Sequence, residues 1–369
     1  MGDNQSGGVK VGLLSKIRNA CLCIMLSTGA VYAQEQFEVR ISFDQPETTQ
    51  AWKQAMKVLG EEMERESGGR IKVKNYTGGV LHTIGDGLRA VAGGITDITS
   101  AYPVYSANSF QFYHAPGLPL ALPNADLAAL RVIDELYPKY FKDEYEKVGI
   151  LLGFNAVTPS YDILTRNPVK SLDDLKGLKI RAAGGALTEI VERLGATPIT
   201  MTITDTYTAF QQGVLDGVAL NTADMAVYRL HEVGKYNYRI GVSRVPIPYG
   251  LNKDFYESLP DDLKKVVDAA LLNAGYNYTG MYKSLTSDAL EAMKAAGIVV
   301  TEISPEDRKR AMELLDPMWQ GFVEKYPTSH GHDAKDLIAD MRALSEKYGS
   351  FTDEDIRAIK DTQPVEGLR

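Results

Sequence analysis

The stretch SLDDLKGLKIRAAGGALTEIVERLGATPITMTITDTYTAFQQGVLDGVALN, residues 171–221, reads as a run of short α/β units. Ser171 caps a short acidic helix, Gly177 breaks it, and Leu178, Ile180 and Ala182 alternate as a strand. Ala183, Gly184 and Gly185 are small enough for a tight turn into a helix over 186–194, which Gly195 stops. A strand over 198–201, a helix opening at Thr204 or Asp205 and closed by Gly213, and a strand over 216–220 follow. In an open α/β sheet, ligands occupy the crevice beyond the carboxyl ends of the strands. Arg181 stands at such an end, just before a helix N-terminus, where a guanidinium is a fork for an anion, most naturally a carboxylate. The other reading of the same spacing is a structural arginine paired with Asp or Glu.

Outward from this block the chain keeps alternating. Upstream, 38–43 is a strand ending in Asp44-Gln45-Pro46, a long amphipathic helix runs to about residue 67, and 70–76 is the next strand. A helix over 84–92 leads to a strand over 97–101 and a loop rich in aromatics, with Tyr102, Tyr105, Phe110, Phe112 and Tyr113. A helix over 125–140 and strands over 148–155 and 162–165 lead into the opening block. Downstream, 260–296 is almost uninterrupted: Leu263, Val266, Val267, Ala270, Ala274, Tyr278, Met281 and Leu285 recur at helical spacing, with Gly275 and Gly280 as points of bending. A strand over 299–303 and further helices close the chain. Strands alternating with helices predict an α/β fold.

The chain has 369 residues and 44% hydrophobic residues, enough for one large or two medium cores. Lys10, Lys16 and Arg18 precede a short apolar run over 20–29, and Val31-Tyr32-Ala33 fits a signal-peptidase site, so 1–33 reads as a cleaved signal peptide and Gln34 as the mature start. The apolar run is too short to anchor in a bilayer, and the polar lead-in of residues 1–9 points to a start codon further in. Both cysteines, Cys21 and Cys23, fall inside this leader, which excludes disulfides, thiol nucleophiles and cysteine metal sites from the mature chain. Its loss takes the net charge from −8 to about −10, a poor balance for nucleic-acid binding.

Catalytic signatures are missing from the sequence. There is no GxSxG elbow, no GxGxxG after the first strand and no Walker lysine. His82 and His114 are isolated, and His330-Gly331-His332-Asp333, between Pro327 and the start of a helix, reads as a capping turn before it reads as a metal cluster.

Four blocks carry a resemblance. LKGLKIR (175–181), LGATPITM (194–201), YTAFQQGVLDG (207–217) and HEVGKY (231–236) resemble, in order and spacing, the substrate-binding subunits of tripartite ATP-independent periplasmic (TRAP) transporters of the dicarboxylate-binding type. The resemblance implies a two-lobed periplasmic-binding-protein fold with a long helix bracing both lobes. It gives lobe I as 34–158 with 246–285 returning to it, and lobe II as 159–245 with a helical C-terminal part over 286–369. It further implies a periplasmic receptor that is not an enzyme, needs no cofactor, and delivers a small organic acid to a small and a large membrane subunit driven by an ion gradient. In that family the arginine of the GLK-x-R block, here Arg181, clamps the substrate carboxylate.

Other positions carry over unevenly. Tyr102 falls where the family often has a polar substrate contact, and Phe43 and Asp44 close the first strand, another lining position. Asn155 ends the strand before the lobe crossing. Core packing for Phe43 and Tyr102, and turn or capping roles for Asp44 and Asn155, are the alternatives. Many members have a second arginine where this chain has Tyr161. The family's DGQEN is Asp216-Gly217-Val218-Ala219-Leu220 here, with Asn221 one place late, and one residue's offset in a strand reverses the face. Both departures predict a single-carboxylate clamp in a less polar pocket, suited to a monocarboxylate with a hydroxyl, a keto group or an aromatic ring. A receptor for another importer or a sensor shares these features, and a secreted two-lobed enzyme is the rival from a different class.

Overall fold

The structure is a computed structural model that describes residues 35–369 apart from Ala107; the expected leader 1–33 with both cysteines, and Gln34, lie outside the described residues. Two sheets organise it. In the first, the spatial order is Ile71–Tyr76, Phe37–Ser42, Ile98–Ser100, Tyr249–Asn252, Ile150–Phe154. In the second it is Val299–Glu302, Tyr236–Arg239, Asp162–Thr165, Gly217–Leu220, Lys179–Ala182, Thr197–Thr200. These are the two lobes, each a mixed sheet covered by helices. Asp162–Thr165 and Gly217–Leu220 are buried along their whole length, as strands covered on both faces should be.

Each sheet contains one strand antiparallel to both neighbours: Tyr249–Asn252 in the first and Asp162–Thr165 in the second. These are the strands on which the chain arrives from the other lobe. The two crossings run side by side. Val157 bridges Pro246, Thr158 N–H donates to Val245 O at 3.1 Å, and Ile247 N–H to Ala156 O at 2.8 Å. A two-stranded ribbon between two lobes confines bending to a few backbone torsions.

The third connection is the long helix. Asp261–Gly280 and Tyr282–Ala295 are joined through Met281, whose φ of −67° and ψ of −25° stay helical, for a total length of roughly 50 Å. The first half packs on the first lobe, against Lys57–Glu66, Asp126–Leu136 and Ile150–Phe154; the second half packs on Thr222–Val227 in the second lobe. The joint falls beside Gly280, where the Arg357 guanidinium of the helix Asp353–Lys360 approaches the long helix and donates to Tyr276 O at 3.3 Å.

The end of the chain differs from the sequence expectation, which gave all of 286–369 to the second lobe. Ala334–Tyr348 and Asp353–Lys360 pack on Asp126–Leu136 of the first lobe. Leu127 N–H donates to Asp353 Oδ1 at 2.9 Å, Tyr348 OH to Glu135, and Tyr140 OH to Asp340 at 2.6 Å. Helical periodicity gives the apolar stripe of Leu337, Ile338, Met341 and Tyr348 but not the surface it covers. His330 and His332 sit in a two-strand hairpin whose Asp333 caps the next helix. Among the described residues no helix is long and apolar enough to cross a membrane.

Candidate functional site

Arg181 is the third residue of a strand whose first residue, Lys179, is exposed and whose remaining three are buried. Its side chain is 1% exposed. Nε donates to Met201 O at 3.2 Å and Nη2 to the Tyr105 hydroxyl at 3.5 Å, while Nη1 is sealed from solvent and has no partner. The guanidinium is thus held by neutral groups and forms no ion pair with any described Asp or Glu. A buried cation left with an open donor is costly unless something anionic arrives. The turn after the strand explains the small residues there: Gly184 has φ +122°, and a Cβ on it would meet Val104 O at 2.6 Å.

Arg181 lines a partly open cavity of about 50 Å³ between the lobes. The first lobe contributes Gln45, Ile84, Tyr102 and Tyr105, and the ribbon of crossings contributes Thr158, Tyr161, Val245 and Ile247. From the second lobe come Ala183, Ile203, Leu220, Asp224 and Tyr228; Tyr278 and Tyr282 enter from the long helix, one on each side of its joint. Gln45 Nε2 donates to the Tyr228 hydroxyl across the cleft at 3.1 Å. Burial raises the phenols of Tyr102, Tyr105 and Tyr161, so they stay protonated donors. A larger groove of about 360 Å³ lies beyond Gly184-Gly185 toward Phe322 and Lys325, but Arg181 does not reach it.

Asp224 is the acidic group on the cavity wall. It accepts from Asn221 Nδ2 at 2.6 Å and from the Tyr282 hydroxyl at 3.4 Å. Burial pushes its carboxyl up to about 6, against the pull of Asn221, Tyr282 and Arg181. Asp44, beside Gln45, is also raised to about 6, by burial and then by the charge of Asp224; its Oδ1 is sealed and unpartnered. No group of three or more His, Cys, Asp or Glu able to hold a metal occurs among the described residues.

Of the residues singled out from the sequence, Arg181, Tyr102 and Tyr161 meet on this cavity, and Asp44 stands just behind its wall. Three others do not line it. Phe43 is 1% exposed and packs on Trp52, ring centroids 6.1 Å apart. Asn155 accepts from the Tyr113 hydroxyl at 2.6 Å and donates to Asp134 at 2.8 Å, a buried network in the first lobe. Asn221 is turned away from the cavity and caps Thr222–Val227, while Leu220 faces in. Asp224, Gln45, Tyr105, Tyr228, Tyr278 and Tyr282 were not among the candidates. The i, i+4 spacing of Tyr278 and Tyr282 puts both on one helix face, and Asn221 three residues before Asp224 is a helix-start signature at a strand's carboxyl end.

Residues 44–326 match the family described as bacterial extracellular solute-binding protein, family 7. A C4-dicarboxylate-binding periplasmic protein of Rhodobacter capsulatus is 25% identical over 266 residues, 71% of this chain and 79% of its own length. An uncharacterized protein of Salmonella typhimurium is 27% identical over 317 residues, 84% of this chain and 94% of its own. Among solved structures, a TRAP solute-binding protein from Rhodoferax ferrireducens T118, holding copurified benzoate, superposes with a TM-score of 0.79 at 22% identity, covering 85% of this chain and 98% of that one.

Proposed function

We propose, from the premise that this chain belongs to family 7 of the bacterial extracellular solute-binding proteins, the receptors of TRAP transporters, that its cavity captures a small monocarboxylate through Arg181. The observation that carries the proposal is the sealed, unpartnered Nη1 of Arg181 on the cavity wall. A carboxylate there completes a bidentate, charge-assisted pair, and enclosure from water strengthens it. Tyr161 and Leu220 stand where many relatives carry a second guanidinium and an amide, which leaves one cationic clamp and a remainder that is aromatic and apolar apart from Asp224, Gln45 and Thr158. Benzoate in the Rhodoferax ferrireducens receptor is a ligand of that shape. Lobe closure on the ribbon and the long-helix joint then presents the loaded receptor to a small and a large membrane subunit, after export to the periplasm on the leader 1–33. The family is one of solute receptors and not of catalysts.

The test is a thermal-shift screen against dicarboxylates, keto and hydroxy acids, sugar acids and aromatic acids, on the parent and on Arg181→Ala. A ligand at a hundredfold excess over its dissociation constant adds about 2.7 kcal/mol of stability. One monocarboxylate is expected to stabilise the parent and not the variant. Equal stabilisation of both removes the clamp from Arg181, and stabilisation only by dicarboxylates or sugar acids removes the monocarboxylate assignment.

A further inference from the structure

The cavity has two electrical ends, and a plain carboxylate satisfies one of them. Arg181 offers an open donor at the first. At the second, Asp224 is met only by neutral groups, the Asn221 amide and the Tyr282 hydroxyl. Asp44 behind it has a sealed oxygen with no partner. Among the described residues neither acid forms an ion pair, and no lysine or histidine lines the cavity. Tyr228, Tyr278 and Tyr282 share the wall with Asp224, and their phenols are raised by burial and by its charge, with Asp44 adding to the shift of the first two. Aromatic faces around a carboxylate are the surroundings in which a cationic nitrogen, including a fully alkylated one, is stabilised.

A monoanion bound to Arg181 neutralises the one cation among the described residues that line the wall and adds nothing for the acids. The ligand carboxylate and Asp224 then share a space of about 50 Å³ in which Arg181 is the one counter-charge among the described lining residues, with Asp44 adding its charge from behind the wall, which like-charge repulsion and desolvation both oppose. We infer that the ligand is dipolar: a small zwitterionic acid whose carboxylate takes Nη1 of Arg181 and whose cationic nitrogen lies against Asp224 among the tyrosine rings. This inference rests on the carboxylate-receptor reading and narrows it, from monocarboxylates in general to amino-acid-like or betaine-like ones.

The test compares ligands of one shape that differ in the nitrogen alone. Calorimetric titration of the unsubstituted protein sets glycine betaine against 3,3-dimethylbutanoate, and L-proline against cyclopentanecarboxylate. The expected result is that at least one zwitterion binds tenfold or more tighter than its neutral-skeleton partner. Its affinity should rise from about pH 5 to about pH 7.5 as Asp224 and Asp44 ionise, since the tyrosines, raised by burial, stay neutral across that range. Asp224→Asn should abolish the preference between partners; because Asp224 also meets Asn221, the comparison on the unsubstituted chain stands without that variant. Partners that bind equally, an affinity that falls over the same pH span, or a screen in which only acids without a cation bind overturns the dipolar ligand and leaves the carboxylate receptor standing. If no carboxylate of either kind binds, both readings fall together.

Discussion

Asn221 Nδ2 donates to Asp224 Oδ2 at 2.6 Å, and Asn221 Oδ1 accepts the Asp224 backbone N–H at 2.9 Å. One fully buried side chain therefore starts a helix and fixes the direction of the carboxylate on the cavity wall. The pleat sets this division of labour: Leu220 ends the strand facing the cavity, so its successor faces away and is free to cap. Asn221→Ala removes the cap and the donor and is expected to cost roughly 1–3 kcal/mol. Asn221→Ser keeps a capping oxygen and loses only the amide, so a smaller loss is expected. Urea unfolding of both variants reads the difference; identical losses would mean that the capping oxygen contributes nothing and that the amide contact to Asp224 carries the whole effect.

Arg181 should matter to binding and little to folding. It is buried with one nitrogen unpartnered, so the ligand-free protein carries the cost of a desolvated cation without an ion pair in return. Arg181→Gln is expected to leave the ligand-free melting temperature unchanged or higher. Carboxylate affinity should fall by roughly 10²–10⁴-fold, the loss of two charge-assisted hydrogen bonds at about 1.5–3 kcal/mol each. Melting curves with and without ligand measure both. A collapse of ligand-free stability would make Arg181 a structural residue.

Much of this was readable in the residues, for definite reasons. The period-2 and period-3.6 patterns are local, so the units of 171–221 and the long helix over 260–296 emerge from spacing alone, and Arg181 follows from standing at a strand end before a glycine turn. Which surface an amphipathic helix covers is not local. That is why the C-terminal helices were expected on the wrong lobe, and why Tyr278 read only as one position of a helical repeat although it reaches the cavity. Asn155 shows the same limit. A polar residue at a strand end has two environments open to it, and only the positions of Tyr113 and Asp134, 42 and 21 residues earlier, decide between them.

Stability should be greatest in mild acid. Burial raises the Asp134 carboxyl to about 7, despite its hydrogen bond from Asn155, and the Asp162, Asp44 and Asp224 carboxyls to about 6. Each holds its proton more tightly folded than unfolded. Between about pH 4 and pH 7 the folded state therefore binds more protons, and stability falls as pH rises through that window. Below it, Asp173, Asp174 and Asp355, held under the usual carboxylate range by their hydrogen bonds, lose their contribution as they protonate. Denaturant midpoints across pH should peak near pH 4. Asp134→Asn, which keeps an acceptor for Asn155, should raise stability at about pH 8 by on the order of 2 kcal/mol and change little at about pH 4. A variant gain that is the same at both pH values would assign it to packing and not to charge.

The long helix carries two glycines whose substitutions should behave differently. A Cβ on Gly275 would lie 2.6 Å from Asn155 O, a backbone atom at the end of a strand in the first lobe. Neither the helix nor the sheet can yield there without disturbing the other. At Gly280 the nearest atom is the tip of Arg357, a flexible side chain that can swing out at the cost of its bond to Tyr276 O. Alanine at either site gains about 1 kcal/mol of helix propensity over glycine. Gly275→Ala is therefore expected to destabilise by about 1–3 kcal/mol in net, and Gly280→Ala to stay within about 0.5 kcal/mol of the parent. Because Gly280 adjoins the joint between Tyr278 and Tyr282, its alanine should stiffen the element that must bend when the lobes part. Ligand release measured by stopped-flow tyrosine fluorescence should then slow in Gly280→Ala while stability holds. An unchanged release rate would place the bending in the ribbon around Val157 and Pro246 and leave the helix as a passive brace.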